Sequence, residues 1–287
     1  RNKEKTNDTR SHVRPQADPR LRRGQRLKIN FFSFSVITVI MLYESGIIPS
    51  YKSGFFCNDP NLSYTFNGDT VNDVVLVSTI LLMPLTFLIT ELVVLDSDYL
   101  HSRPLEALRR TGLLYRNYMY GFAFNLLFVE IMKGLSGMPR PVFFQICKPD
   151  TAVNCTTGEY ISTFECTSSY SWWKQYDSYH SFPSGHTSMS VYCGLFIAWY
   201  LQRRVFSWSS RTVLLVPLVQ ICCLGYAATC SLSRITDHRH HWWDVAAGTV
   251  VGVVTLLFAV TNRFDSSKKV TDLTRILLFE IIPQKMI

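Results

Sequence analysis

Three polar clusters hold the residues with which this sequence could do chemistry. The first contains Lys133 and, seven residues on, Arg140-Pro141. The second is Ser181-Phe182-Pro183-Ser184-Gly185-His186, and the third runs from Ser233-Arg234 through His238-Arg239-His240-His241 to Asp244. Lys133, Arg140 and Arg234 can neutralise a doubly charged phosphoryl group, and the planar fork of arginine matches its oxygens. Ser184 and Gly185 stand just ahead of a helical pattern. A helix start offers free N–H groups and a positive dipole end to an anion, and Gly185 lets the backbone come close. His186 and His240 supply a nitrogen nucleophile and a general acid. Asp244 follows His240 by one helical turn, from where a carboxylate can fix the imidazole tautomer. Each cluster alone has an ordinary reading: a snorkelling lysine, a proline turn, a helix cap. His238, His240 and His241 have no acid or cysteine partner at zinc spacing, so no metal centre is expected. Taken together, the clusters point to a phosphate site.

The elements that must position them are membrane spans. Of 287 residues, 47% are hydrophobic and only 17% charged, against about 25% charged in soluble domains. That excludes a disordered or collagen-like chain and argues against an ordinary soluble enzyme. Six segments approach the roughly 20 apolar residues a membrane helix needs: 29–49, 74–95, 112–132, 187–201, 212–230 and 243–261. The third is weakened by Arg116, Asn117, Asn125 and Glu130, and the sixth carries Gly248 and Gly252 at a spacing that permits close helix packing. The expected fold class is all-α, a six-transmembrane helical bundle spanning 29–262, between a basic cytoplasmic tail (1–28) and a second cytoplasmic tail (263–287). Residues 1–28 hold ten Lys or Arg against three acids, and alternate connections carry Arg103, Arg109, Arg110, Arg203, Arg204 and Arg211. The opposite connections are poorer: 50–73 holds only Lys52. The formal charge of +8 therefore fits a membrane rather than a nucleic acid, with both termini cytoplasmic and all three clusters on the opposite side. Residues 1–28 lack the apolar run of a signal peptide, so the first span is expected to serve as an uncleaved anchor. The chain starts without Met, as a fragment or a processed chain would.

The outward connections carry two glycosylation sequons, at Asn61 and Asn154, and four cysteines, Cys57, Cys147, Cys155 and Cys166. One or two disulfides are expected there, with three full pairings open. Charges inside spans are costly. Glu130, three residues before Lys133, is placed so that it can pair with and position the lysine, and protein-lined polar contacts are one place for Glu44 and Glu91.

The pattern of Lys133 with Arg140-Pro141, Pro183-Ser184-Gly185-His186, and Ser233-Arg234 with His240 and Asp244 resembles the type 2 phosphatidic acid phosphatase superfamily. The first outward connection, around Gly54-Phe55-Phe56-Cys57-Asn58-Asp59, is similar to its animal lipid phosphate phosphatase branch, and Asn154 falls where that branch is usually glycosylated. The resemblance implies that His240 attacks phosphorus, Asp244 supports it, and His186 protonates the leaving oxygen. It implies phosphoryl contacts from Lys133, Arg140, Ser184, Gly185 and Arg234, and no metal cofactor. Met138 and Trp243 depart from the branch's commoner pattern, which has a second arginine and a small polar residue there. The implied substrates are phosphatidate, lysophosphatidate, sphingosine 1-phosphate or ceramide 1-phosphate. The implied place is the plasma membrane with the site extracellular, or the endoplasmic reticulum or Golgi with it luminal, and a homo-oligomer is left open. The rivals are a phosphatase of another ester, such as a polyisoprenyl diphosphate, a non-catalytic lipid-phosphate-binding protein, and a transporter. A transporter is disfavoured because the clusters gather at one face rather than near the midplane.

Overall fold

The computed structural model describes residues 50–96, 103–208 and 213–261, with isolated positions at 38, 39, 42, 45, 46 and 48. The two tails, most of the first expected span and Glu44 lie outside the described residues. The long helices are α1 (Asp73–Asp96), α2 (Arg103–Ser136), α5 (Gly185–Arg204), α6 (Leu215–Thr236) and α7 (Trp242–Thr261), with two short ones, α3 (Phe143–Cys147) and α4 (Trp172–Asp177), between α2 and α5. The structure is not purely helical: β1 (Phe55–Phe56) and β2 (Tyr160–Ile161) pair antiparallel, Phe55 opposite Ile161.

Three helices are long and apolar enough to cross a membrane: Asp73–Leu92, Leu215–Thr236 and Trp242–Thr261. Their outer faces are apolar yet exposed, with Leu81, Leu85 and Ile89 on α1, Leu218 and Ile221 on α6, and Val250 and Val254 on α7. Contiguous exposed hydrophobics of this kind mark a lipid-facing surface. The expected third and fourth spans form helices that differ from those three. α2 begins at Arg103, inside what the sequence suggested was a connection, and its 34 residues make it roughly 51 Å long. α5 holds Ser, Thr, Gly and Tyr, and twelve of its twenty residues are buried. It packs against α2, α6 and α7, so its side chains meet protein rather than lipid.

Small and polar residues set these contacts. A Cβ on Gly248 would lie 2.6 Å from the Ser184 carbonyl oxygen, and one on Gly252 2.7 Å from that of Ser188. The small-residue stripe of α7 is therefore what brings it against the start of α5. Asn125 of α2 donates to Thr255 Oγ1 (2.8 Å) and accepts from Ser188 Oγ (2.8 Å), joining α2, α5 and α7 through a satisfied buried network. Glu91 accepts from Tyr200 Oη and from Arg204 Nε and Nη2, all at 2.9 Å, which gives the expected protein-lined contact to a carboxylate inside a span.

At the other end of the bundle a small layer covers the helix ends. Cys57–Cys155 and Cys147–Cys166 are the disulfides, one of the three pairings the sequence left open. Phe55, Phe143 and Phe164 form its aromatic core, with ring centroids 5.3–5.6 Å apart. Thr70 donates from its backbone N–H and its hydroxyl to the Asp237 carboxylate (2.8 and 2.7 Å), tying the segment before α1 to the turn between α6 and α7.

Candidate active site

The helices alternate in direction, so the C-terminal ends of α2 and α6 and the N-terminal ends of α1, α5 and α7 meet beneath this layer. They enclose a cavity of about 540 Å³ lined by Lys133, Arg140, Gly185, His186, Arg234 and His240. The three sequence clusters thus converge on one space, from residues up to 107 positions apart. Ser184 and Asp244 belong to the wall behind it. Ser184 caps α5, its Oγ accepting from Thr187 N–H (3.4 Å) and Oγ1 (3.0 Å), while its own N–H donates to the Asp244 carbonyl (3.0 Å). With Ser184 serving as the cap, the backbone N–H groups of Gly185 and His186 precede the first intrahelical bond. Asn61 and Asn154 sit exposed on the outer layer, away from the cavity.

His240 is held in one tautomer by two partners. Its Nδ1 lies 2.7 Å from the Ser181 carbonyl, which can only accept, so Nδ1 carries the proton. Arg140 Nη1, which can only donate, lies 3.3 Å from Nε2, so Nε2 presents its lone pair. Burial, then the Arg140 guanidinium, push the imidazole down to about 4, against the opposing pull of Asp244. The expected contact between Asp244 and the ring is longer than a hydrogen bond, 3.7 Å to Nδ1. Asp244 acts one step removed: its Oδ2 accepts from Ser181 Oγ (2.6 Å) and from His241 N–H (2.9 Å), fixing the segments on either side of the ring.

His186, at the outer end of α5, faces the same cavity, its Nε2 3.4 Å from Asp73 Oδ1. Burial and then the cations around it, Arg234 foremost, push it down to about 3. Lys133 Nζ pairs with Glu130 Oε1 at 2.9 Å, as the sequence suggested. The other two histidines of the third cluster turn away, His238 stacking on Tyr64 (4.4 Å) and His241 on Trp243 (4.5 Å).

Sequence reasoning missed the carboxylates that hold the arginines. Arg140 donates from Nη2 to Asp177 Oδ1 (2.5 Å) and from Nε to the Asp177 carbonyl (2.8 Å). Arg234 donates to Asp69 Oδ1, Asp237 Oδ2 (both 3.0 Å) and the Val71 carbonyl (2.8 Å). Arg239 links the two sets, pairing with Asp69 (3.2 Å) and Asp177 (3.1 Å), and it too lines the cavity. Burial raises the Asp177 carboxyl, but Arg140, Arg239 and Lys133 more than offset it and hold it well below the usual carboxylate range. Arg239 had a sequence signal, a cation directly before His240. Asp69 and Asp177 had none, since an acid in a long connection reads as solvated surface.

The sequence profile of the PAP2 superfamily matches residues 114–268, more than half the chain and the stretch that carries all three clusters. The chain belongs to the PAP2 superfamily. It is 31% identical over 223 residues to phospholipid phosphatase 1 of Rattus norvegicus, covering 76% of this chain and 77% of that protein. It is also 31% identical to phospholipid phosphatase 2 of Bos taurus, covering 75% and 74%, and to phospholipid phosphatase 1 of Mus musculus, covering 76% and 77%. No solved structure matches. With three apolar helices able to span a bilayer, this PAP2 chain is an integral membrane protein.

Proposed function

We propose that this chain is a lipid phosphate phosphohydrolase working through a phosphohistidine. The observation that carries the reading is His240: a buried, neutral imidazole whose Nε2 lone pair opens into a cavity of cations. Nε2 attacks phosphorus as the bond to the lipid oxygen breaks, and His186 gives that oxygen its proton, releasing the lipid alcohol. His186, then neutral, takes a proton from water. The water oxygen displaces Nε2 from phosphorus, and inorganic phosphate leaves. The Ser181 carbonyl, accepting from Nδ1, favours the positive charge that develops on the ring. Before substrate binds, burial and then the surrounding cations keep His186 unprotonated; a bound phosphoryl dianion opposes the cations and raises its affinity for the proton it must give.

Lys133, Arg140, Arg234 and the N–H groups of Gly185 and His186 are the contacts for the phosphoryl oxygens. Ser184 contributes by holding that helix end. Val77, Leu126 and Met189 line the cavity from α1, α2 and α5, an apolar wall suited to the first carbons of a lipid. The names of the relatives support phospholipid substrates, and phosphatidate, lysophosphatidate, sphingosine 1-phosphate and ceramide 1-phosphate are the candidates. No step requires a metal. The test is phosphate release from these lipids in detergent micelles with excess EDTA. The wild type should release phosphate, and His240→Ala should lose at least ~1000-fold, as enzymes do on losing a covalent nucleophile. Release that depends on added Mg²⁺, or that survives the substitution, would sink the mechanism.

A further inference from the structure

The cavity described so far offers donors to its ligand. One buried group does the opposite. His180 lines the same cavity and is 6% exposed. Its Nδ1 lies 2.7 Å from the Tyr176 carbonyl, an acceptor, so Nδ1 bears the proton and Nε2 is a bare lone pair. That Nε2 is buried with no hydrogen-bond partner among the described residues. Two other cavity-lining nitrogens share that state, but each has a charged neighbour: His186 Nε2 lies near Asp73 and Arg239 Nε near Asp69. His180 Nε2 has no ion-pair partner among the described residues. The ring is fixed between Tyr176 and Tyr179 (centroids 4.4 and 5.1 Å), so it cannot readily swing to solvent. Burial, reinforced by Lys133 and Arg140, pushes its pKa down against the opposing pull of the Tyr176 carbonyl and the Asp177 carboxylate.

A bare acceptor repels phosphate oxygens, so His180 is not a phosphate ligand. It lines the same cavity as Lys133, Arg140 and His240 and feels the charges of the first two, so its ring lies close to the phosphoryl contacts. The hydroxyl donor that a lipid phosphate carries nearest its phosphoryl group is on the carbon next to the one bearing the phosphate. We infer that His180 Nε2 is a specificity-determining acceptor for a free hydroxyl on that neighbouring carbon, and that this cavity favours lysophosphatidate-type substrates over lipid phosphates whose neighbouring oxygen is esterified or missing. A hydroxyl suits the position better than an ammonium, because Lys133 and Arg140 act on the same ring. A buried acceptor left unpaired is costly, and a substrate lacking the donor leaves it so.

The inference rests on the lipid phosphatase reading and is tested within it. Phosphate release is measured for lysophosphatidate and for the deoxy analogue with the same acyl chain, an acyl-propanediol phosphate, using wild type, His180→Phe and His180→Gln. The wild type should favour the hydroxyl substrate in kcat/KM by about tenfold, the worth of one hydrogen bond to a buried acceptor. His180→Phe should bring that ratio close to one, mainly by slowing the hydroxyl substrate, and continued hydrolysis of the deoxy analogue reports that the variant is folded. His180→Gln, which keeps an acceptor oxygen, should retain part of the preference. A wild-type ratio near one, a ratio that survives His180→Phe, or equal losses on both substrates in both variants would overturn the inference alone. Hydrolysis of neither substrate by the wild type would overturn the phosphatase reading and the inference with it.

Discussion

His240, buried, and His186, partly buried, are both held in a neutral state, and that ties stability to pH. In the unfolded chain an imidazole takes up its proton near 6.5, whereas folded His240 resists until about 4. Between those values the unfolded state binds more protons, so folding stability is full above about 6.5 and is lost as pH falls through the window. His186 acts in the same direction and further down. Thermal unfolding in detergent should therefore show a Tm that falls on acidification across that window. The fall should be shallower in His240→Gln, which has no proton to take up, and parallel slopes would count against the buried neutral state. The signature residues were legible in the sequence because phosphoryl chemistry restricts the residue type and the chain keeps the pieces at fixed spacing. Asp177 and Asp69 were not, because they hold Arg140 and Arg234 from 37 and 165 residues away, and no local pattern marks that. His180 was equally hidden: its meaning depends on a lone pair left facing a cavity, and only the fold decides that.

Helix pairing carries the second constraint. α7 approaches α5 so closely that the Ser184 carbonyl fills the space of a side chain on Gly248, and Ser184 N–H donates to the Asp244 carbonyl across the same contact. Gly248→Ala puts a Cβ 2.6 Å from a backbone oxygen, which cannot rotate aside, so α7 must move outward. That should cost about 1–3 kcal/mol, the usual range for overpacking, read as a lower Tm. It should also lower kcat, because the displacement moves Asp244 and the Ser181 segment that holds His240. An unchanged Tm with unchanged kcat would mean that the two helices are not locked at this point. The sequence revealed the stripe of Gly248 and Gly252 but not which helix it met. It under-read α5 for a related reason: a helix enclosed by neighbours carries Ser188, Ser190 and Gly194 where a lipid-facing one would carry leucine. α1, α6 and α7, which face lipid, were legible from hydropathy alone.

At the scale of the whole molecule, the cavity, both disulfides and both sequons lie at one end of the bundle, and Arg203, Arg204 and the Glu91 pair lie at the other. Two independent chemistries bear on which end meets which compartment. Disulfides persist only where the surroundings are oxidising, and arginine-rich connections are retained on the cytoplasmic side. Both predict that the cavity faces the lumen or the cell exterior, where a lipid in the outer leaflet could present its phosphate without its chains leaving the membrane. Sealed microsomes, whose outer face is cytoplasmic, test this directly. Protease added outside should remove a tag fused to the C-terminus and leave the Cys57–Cys155 layer intact until detergent opens the vesicle. Glycosidase treatment should shift the mobility of the chain, and Asn154→Gln should remove at least part of that shift, since Asn154 is exposed on the same layer. A protected tag, or an outer layer cleaved in sealed vesicles, would turn the protein over. The three clusters would then face a reducing compartment in which the disulfides that shape the roof of the cavity could not be maintained, and the phosphatase would act on lipids of the cytoplasmic leaflet instead.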